Sequence, residues 1–175
     1  MGMGALLNTT SRDEHVGVIG RFIRTVKERM RCSINTVPFP SLPSRMVISL
    51  AKRTMFCLNA FPAKNGISST LSPRTIVTGQ TVNHDRHFKY EYGEYVQTHE
   101  EHDNSMTPRT VGALAMGPTG NAQGSQYFFN LNTGKIINRM RATRLPMPSE
   151  VIDRVARIAR QQKANPGLVF LDSSK

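Results

Sequence analysis

TVGALAM (residues 110–116), SQYFFNL (125–131) and KIINRM (135–140) are three short stretches of apolar, aromatic and β-branched residues. Gly117-Pro118-Thr119-Gly120-Asn121 follows the first and Asn132-Thr133-Gly134 separates the other two. Such clusters break regular structure because Gly and Asn tolerate positive φ and Pro fixes its own. EYVQT (94–98) has the same character upstream. Four or five short strands within residues 88–147 predict a small antiparallel β-barrel.

Outward from that segment the period changes from two to 3.6. Ile19, Phe22, Ile23, Val26, Met30 and Ile34 form one apolar stripe and predict an amphipathic helix over 16–36, stopped by Pro38 and Pro40. Beside the stripe, Gly20, Arg24, Lys27 and Arg31 follow helical spacing, so the three cations make a basic face. A second helix is expected from about Ser41 or Pro43 to Phe61. Met46, Val47, Ile48, Leu50, Ala51, Met55, Phe56, Cys57, Leu58 and Phe61 cover most of its circumference, which predicts burial on all sides, with Met46 and Met55 as core filling. Asn65-Gly66 marks a turn, Ser72-Pro73 starts a short helix, and Gly79 closes it. A last helix starts at Ser149, with Val151, Ile152, Val155, Ile158 and Ala159 inward and Arg154, Arg157, Arg160 and Lys163 outward, ending at Asn165-Pro166-Gly167. The class is α+β: N-terminal helices, a barrel, and a C-terminal helix.

The 175 residues carry a net charge of +11 and a pI near 10.4, which favours a polyanionic partner. The charge is uneven. Residues 1–66 hold ten Lys/Arg against three Asp/Glu, residues 67–110 hold four against six, and residues 111–175 hold nine against three. Two basic ends therefore flank a mildly acidic middle. Cys32 and Cys57 alone make no disulfide framework and fit a reducing compartment. No apolar run approaches a membrane span and the first seven residues do not read as a signal peptide. The expectation is a nuclear or cytoplasmic protein that is not secreted and does not engage a membrane.

Gly20-Arg21-Phe22-Ile23-Arg24-Thr25-Val26-Lys27-Glu28 resembles the integrase helix that reads E-R-x-x-R-T-x-K-E in copia-type retrotransposons. Leu58-Asn59-Ala60-Phe61-Pro62, Leu71-Ser72-Pro73-Arg74 and Gly79 resemble the ending of that family's ribonuclease-H-like core. Gly93-Glu94-Tyr95-Val96, Gly112 to Gly117 and Tyr127 to Lys135 are similar to the small barrel that follows it, and Asn165 to Phe170 to the linker beyond. Each motif is weak alone; their order gives the resemblance its force. It divides the chain into a leader (1–14), the truncated helical end of the catalytic core (15–82), the barrel (88–147), and a basic helix with linker (148–175). It also implies a polyprotein fragment whose ancestral process is DNA integration.

Integrases of this family are understood to hold two Mg or Mn ions with two Asp and one Glu, and the metals activate the attacking and stabilise the leaving oxygen. The stretch that would carry the two Asp lies before the helix at 16–36 in the family. The Glu position is Gly20 here, which offers no ligand. Glu28 lies eight residues along the helix, about 12 Å away, and cannot replace it; the placement of Glu14 is open. The resemblance thus implies no catalytic residue, no cofactor, and no enzyme activity by this chain alone.

What remains is charge. The resemblance puts Arg24, Lys27 and Arg31 against DNA, and Arg139, Arg141, Arg144, Arg154, Arg157, Arg160 and Lys163 are candidates for sequence-independent phosphate contacts. The plainer reading of all ten is a solubilising surface. His84/His87 and His99/His102 share the spacing H-x-x-H without a nearby Cys, so they read as turn and surface histidines and no metal site is expected. Tyr90, Tyr92 and Tyr95 alternate as in a strand and fit core or edge packing better than base stacking. Two functions compete: an inactive integrase fragment with residual non-specific nucleic-acid binding, or a non-enzymatic adaptor that binds protein or chromatin through the barrel and last helix. Helices deprived of the family's sheet could also self-associate.

Overall fold

The computed structural model describes residues 17–164 except 65, 101–105 and 107, without the side chains of Lys163 and Ala164. Leader residues 1–14, Glu14, His102 and the linker motif at 165–170 lie outside the described residues. The chain is α+β. Two helices, α1 (Gly17–Thr36) and α2 (Ser44–Ala60), lead into two short ones, α3 (Pro73–Thr78) and α4 (His84–His87). Five strands follow: β1 (Tyr95–His99), β2 (Thr110–Pro118), β3 (Gln126–Asn130), β4 (Ile136–Arg139) and β5 (Ala142–Arg144). Helix α5 (Ser149–Ala164) comes last.

All strand pairings are antiparallel, in the order β4-β3-β2-β1-β5. The expected barrel takes the form of an open ladder, with β4 and β5 at its two edges. Yet only Met140 and Arg141 separate β4 from β5. Four strand spacings of about 4.8 Å would put the edges of a flat sheet about 19 Å apart, whereas three residue steps reach at most about 11 Å. The sheet must therefore curl strongly.

That curl gives the sheet two buried faces. On the inside, Val96, Ala113, Ala115 and Phe128 pack with Tyr90, whose hydroxyl donates to the Ala142 carbonyl at 2.7 Å. The two alanines keep this layer small. On the outside, Leu114, Met116, Phe129 and Leu131 pack against Met46 and Leu50 of α2 and Val151, Val155 and Ile158 of α5. Strand β2 is buried on both sides, which explains its nearly continuous apolar run.

Helix α2 is thus part of the barrel segment's own core. Met46 and Leu50 have no exposed surface, and the Tyr92 hydroxyl donates to the Met46 carbonyl at 2.8 Å. From α5, the Gln162 side-chain oxygen accepts from the Ser44 amide (2.8 Å) and hydroxyl (3.0 Å), satisfying a free donor at the start of α2. All-round burial of α2 is not what forms: Val47, Ile48 and Met55 are exposed, so Met55 does not fill the core. One face meets the sheet and the rest of the circumference does not. Helix α1 has no buried residue. Met30 and Ile34 near its end pack on the outer core, while Val18, Ile19, Phe22 and Ile23 stay exposed.

Ser72 caps α3 through Thr75 N, and Gly79 ends it in the left-handed region (φ 69°). Helix α4, which periodicity does not reveal, is a single turn capped by Asn83.

Candidate nucleic-acid interface

The ten predicted basic residues fall into two groups once their partners are known. Arg139 of β4 is ion-paired with Glu100 and also donates to its neighbour's Asn138 carbonyl. Arg144 of β5 pairs with Glu94 at 3.0 Å, donates to the Lys89 carbonyl and lies over the Tyr90 ring. Arg154 of α5 donates from Nε to the Leu131 carbonyl (3.0 Å) and from Nη2 to that of Asn132 (3.2 Å), tying the helix to the end of β3. These three arginines are engaged in holding the fold. Arg160 reaches only its own helix, at the Ala156 carbonyl.

Arg24, Lys27 and Arg31 share the exposed face of α1, where Arg24 meets Glu28 at 3.1 Å. That pair is solvent-exposed and contributes at most a few tenths of a kcal/mol. Arg141 is exposed between β4 and β5, and Arg157 on α5. The side chain of Lys163 lies outside the described residues.

The structure adds a basic cleft that the sequence pattern did not isolate. It lies on the outer face of the sheet, between α2 and strands β2, β3 and β4, and has a volume of about 450 Å³. Ile48, Met116, Pro118, Tyr127 and Ile136 form its apolar walls. Arg45, Lys52, Arg53 and Lys135 supply four cations, and among the described residues no Asp or Glu lines it. On α2, Arg45, Ile48, Ser49 and Lys52 share one face by their spacing, adjacent to the face that buries Met46 and Leu50. On the sheet, Tyr127 pairs across from Gly117, where the β2–β3 register slips by one residue. A bulge of this kind re-aims a side chain at a strand end.

Gly117 is needed there. Its φ is +133°, and a Cβ would come within 3.1–3.3 Å of three carbons of the Arg53 side chain. Arg53 can therefore lie across the bulge. Its Nη2 donates to the Tyr90 carbonyl at 3.2 Å, while its buried Nη1 has no partner. Burial lowers the pKa of this guanidinium, against the opposing influence of Cys57, Glu91 and Tyr92. Arginine nevertheless stays protonated in proteins, so the unpaired donor is a cationic one.

Arg45 also borders a second hollow of about 480 Å³, with Asn132, Thr133, Gly134, Arg154, Ile158 and Gln162 around it. Its Nη1 donates to the Gly134 carbonyl at 3.1 Å, which fixes the guanidinium between the two hollows. No Asp or Glu lines the second hollow either. Lys52, Lys135, Arg45 and Arg154 thus mark a basic track from α2 to α5. The available sequence signal was the seven-residue spacing of Arg45 and Lys52, masked by reading α2 as buried all round.

The histidine reading needs correction in one place. His87 is no surface residue: it is buried, with Nδ1 2.8 Å from the Asn83 carbonyl and Nε2 3.0 Å from that of Asn121. It clamps α4 to the β2–β3 turn. His84 stacks on Phe88, beside Phe61. Among the described residues, no three His, Cys, Asp or Glu side chains converge as metal ligands, and no helix is long and apolar enough to cross a membrane. Tyr90 and Tyr92 are buried, as packing residues should be. The chain matches no protein-family model, no curated protein and no solved structure.

Proposed function

We propose that this chain is a fragment of a copia-type retrotransposon integrase that binds nucleic acid non-specifically and does not catalyse strand transfer by itself. The observation that carries the binding reading is the basic track: two adjoining hollows, bordered by Arg45, Lys52, Lys135 and Arg154, with no acidic lining residue among the described residues. Cations in hollows that no described carboxylate lines leave a positive potential there that attracts phosphate and is indifferent to sequence. The order of the motifs from Gly20 to Lys135 supports the family, with the curled sheet as its small barrel and the helices before it as the end of the ribonuclease-H-like core. Gly20 supports inactivity, since the metal-binding carboxylate of the intact family has no counterpart there, and no Mg or Mn is required. The reading suits a nuclear or cytoplasmic protein. A second reading, a non-enzymatic adaptor, is favoured by the exposed Val18, Ile19, Phe22 and Ile23 on α1, which offer an apolar face to a protein partner.

The test is equilibrium binding to two short duplexes of unrelated sequence over a range of salt. Both should bind alike, with log K falling linearly against log salt. Lys52→Gln with Lys135→Gln should flatten the slope by about two. Salt-independent binding, or none at low salt, would replace this reading with the adaptor.

A further inference from the structure

We infer that the cleft between α2 and the sheet receives an unstacked base of a single-stranded nucleic acid, with the base on Tyr127 and its flanking phosphates on the rim cations. This rests on the nucleic-acid reading above and adds to it the kind of strand and the contact that selects it. A phosphate track alone needs only exposed cations. Here the cations surround a recess with apolar walls, and an aromatic ring 40% exposed stands in it. A duplex turns its sugar–phosphate exterior outward and keeps its base faces stacked on one another, so it would cover Ile48 and Tyr127 without filling the space between them. A single strand offers a base face, and base-on-aromatic stacking tolerates any sequence because every base has one.

Arg53 strengthens the case. Its Nη1 is buried, cationic and without a hydrogen-bond partner among the described residues. Its side chain crosses Gly117, directly across the ladder from Tyr127. A phosphate next to a base on Tyr127 would lie in the field of this guanidinium. Lys52 and Lys135 stand at the same cleft as further phosphate partners, and neither ammonium group makes a hydrogen bond or ion pair among the described residues.

The experiment uses the full chain and three labelled probes of equal length: oligothymidylate, the same backbone with abasic sites, and a duplex. At moderate salt, oligothymidylate should bind about 5- to 150-fold tighter than the abasic strand, the range expected for one stacked base. Tyr127→Ala should remove that advantage, read as the ratio of oligothymidylate to abasic affinity within the variant; Tyr127→Phe should retain it. Tyrosine fluorescence gives a second readout, since the chain has four Tyr and no Trp. Oligothymidylate should quench it in the native chain and much less in Tyr127→Ala. Equal, salt-dependent binding of all three probes, unaffected by Tyr127→Ala, would overturn the base site and leave the phosphate reading standing. No binding of any probe at low salt would overturn both.

Discussion

Helices α1 and α2 stand next to each other in the chain, and both carry enough apolar residues to belong to a core, yet the molecule treats them differently. On α2, Met46 and Leu50 are fully buried against the sheet, the helix start is held by Gln162, and Tyr92 hydrogen-bonds to its backbone. On α1 nothing is buried, and Phe22 is 47% exposed although it sits in the cleaner amphipathic stripe. Periodicity identifies which residues of a helix could be buried; whether they are depends on a surface that the helix itself does not encode. Here the outer face of the curled sheet has room for α2 and α5, and α1 touches it only through its last turns.

The sharpest way to break this contrast is to truncate one side chain on each helix. Leu50→Ala should cost about 2–5 kcal/mol, because it opens a cavity under the sheet. That is a large share of the stability of a domain of ordinary size. Phe22→Ala should change stability by no more than about 0.5 kcal/mol, as an exposed site does. Urea denaturation of both variants measures the two values. Comparable losses would mean that α1 is covered in solution, by another copy or another protein, and would favour the adaptor.

Much of the fold was legible in the sequence because its signals are local. The ends of α3 follow from Ser72-Pro73 and Gly79, and the inward face of α5 from Val151, Val155 and Ile158; the Gly, Asn and Pro clusters mark most strand boundaries, but β2 runs on through Gly117 to Pro118, which read as a turn. What could not be read is non-local. Residues on every side of α2 are apolar, so the sequence could not say that Met46 faces the sheet while Met55 faces solvent. The curl follows from pairing β5 with β1, a partnership that no local signal announces. The site was read less well for the same reason. Arg139, Arg144 and Arg154 look like any other surface cations until Glu100, Glu94 and the Leu131 carbonyl are placed beside them. The cleft joins α2 to β3 and β4, and its glycine, Gly117, reads in sequence only as a turn residue.

A smaller perturbation tests how α2 is anchored. Gln162 bridges from the last helix to the Ser44 amide and hydroxyl, one of the contacts that distinguishes α2 from α1. Gln162→Ala should cost about 0.5–1.5 kcal/mol, toward the lower end because the site is exposed. In hydrogen exchange it should speed the amides of the first turn of α2 and leave α1 as it was. Equal acceleration in both helices would show that they open as one unit, against the contrast drawn above.

The smallest effects separate engaged cations from free ones within one helix. Arg154 and Arg157 are one turn apart on α5 and are alike in charge, but Arg154 donates to two carbonyls beyond β3 while Arg157 is exposed and makes no hydrogen bond or ion pair among the described residues. Arg154→Gln removes two charge-assisted bonds in a partly exposed setting and should destabilise by about 1 kcal/mol. Arg157→Gln should leave the denaturation midpoint where it is. In nucleic-acid binding, a cation that touches one phosphate contributes about 0.9 to the slope of log K against log salt. Arg157→Gln should therefore flatten the slope by up to that amount if the track extends along α5, without any loss of stability to confuse the result. Arg154→Gln should flatten it by less per unit of lost affinity, since part of its effect passes through the fold. A slope unchanged in Arg157→Gln would end the track at Arg154 and assign the outer arginines of α5 to solubility alone.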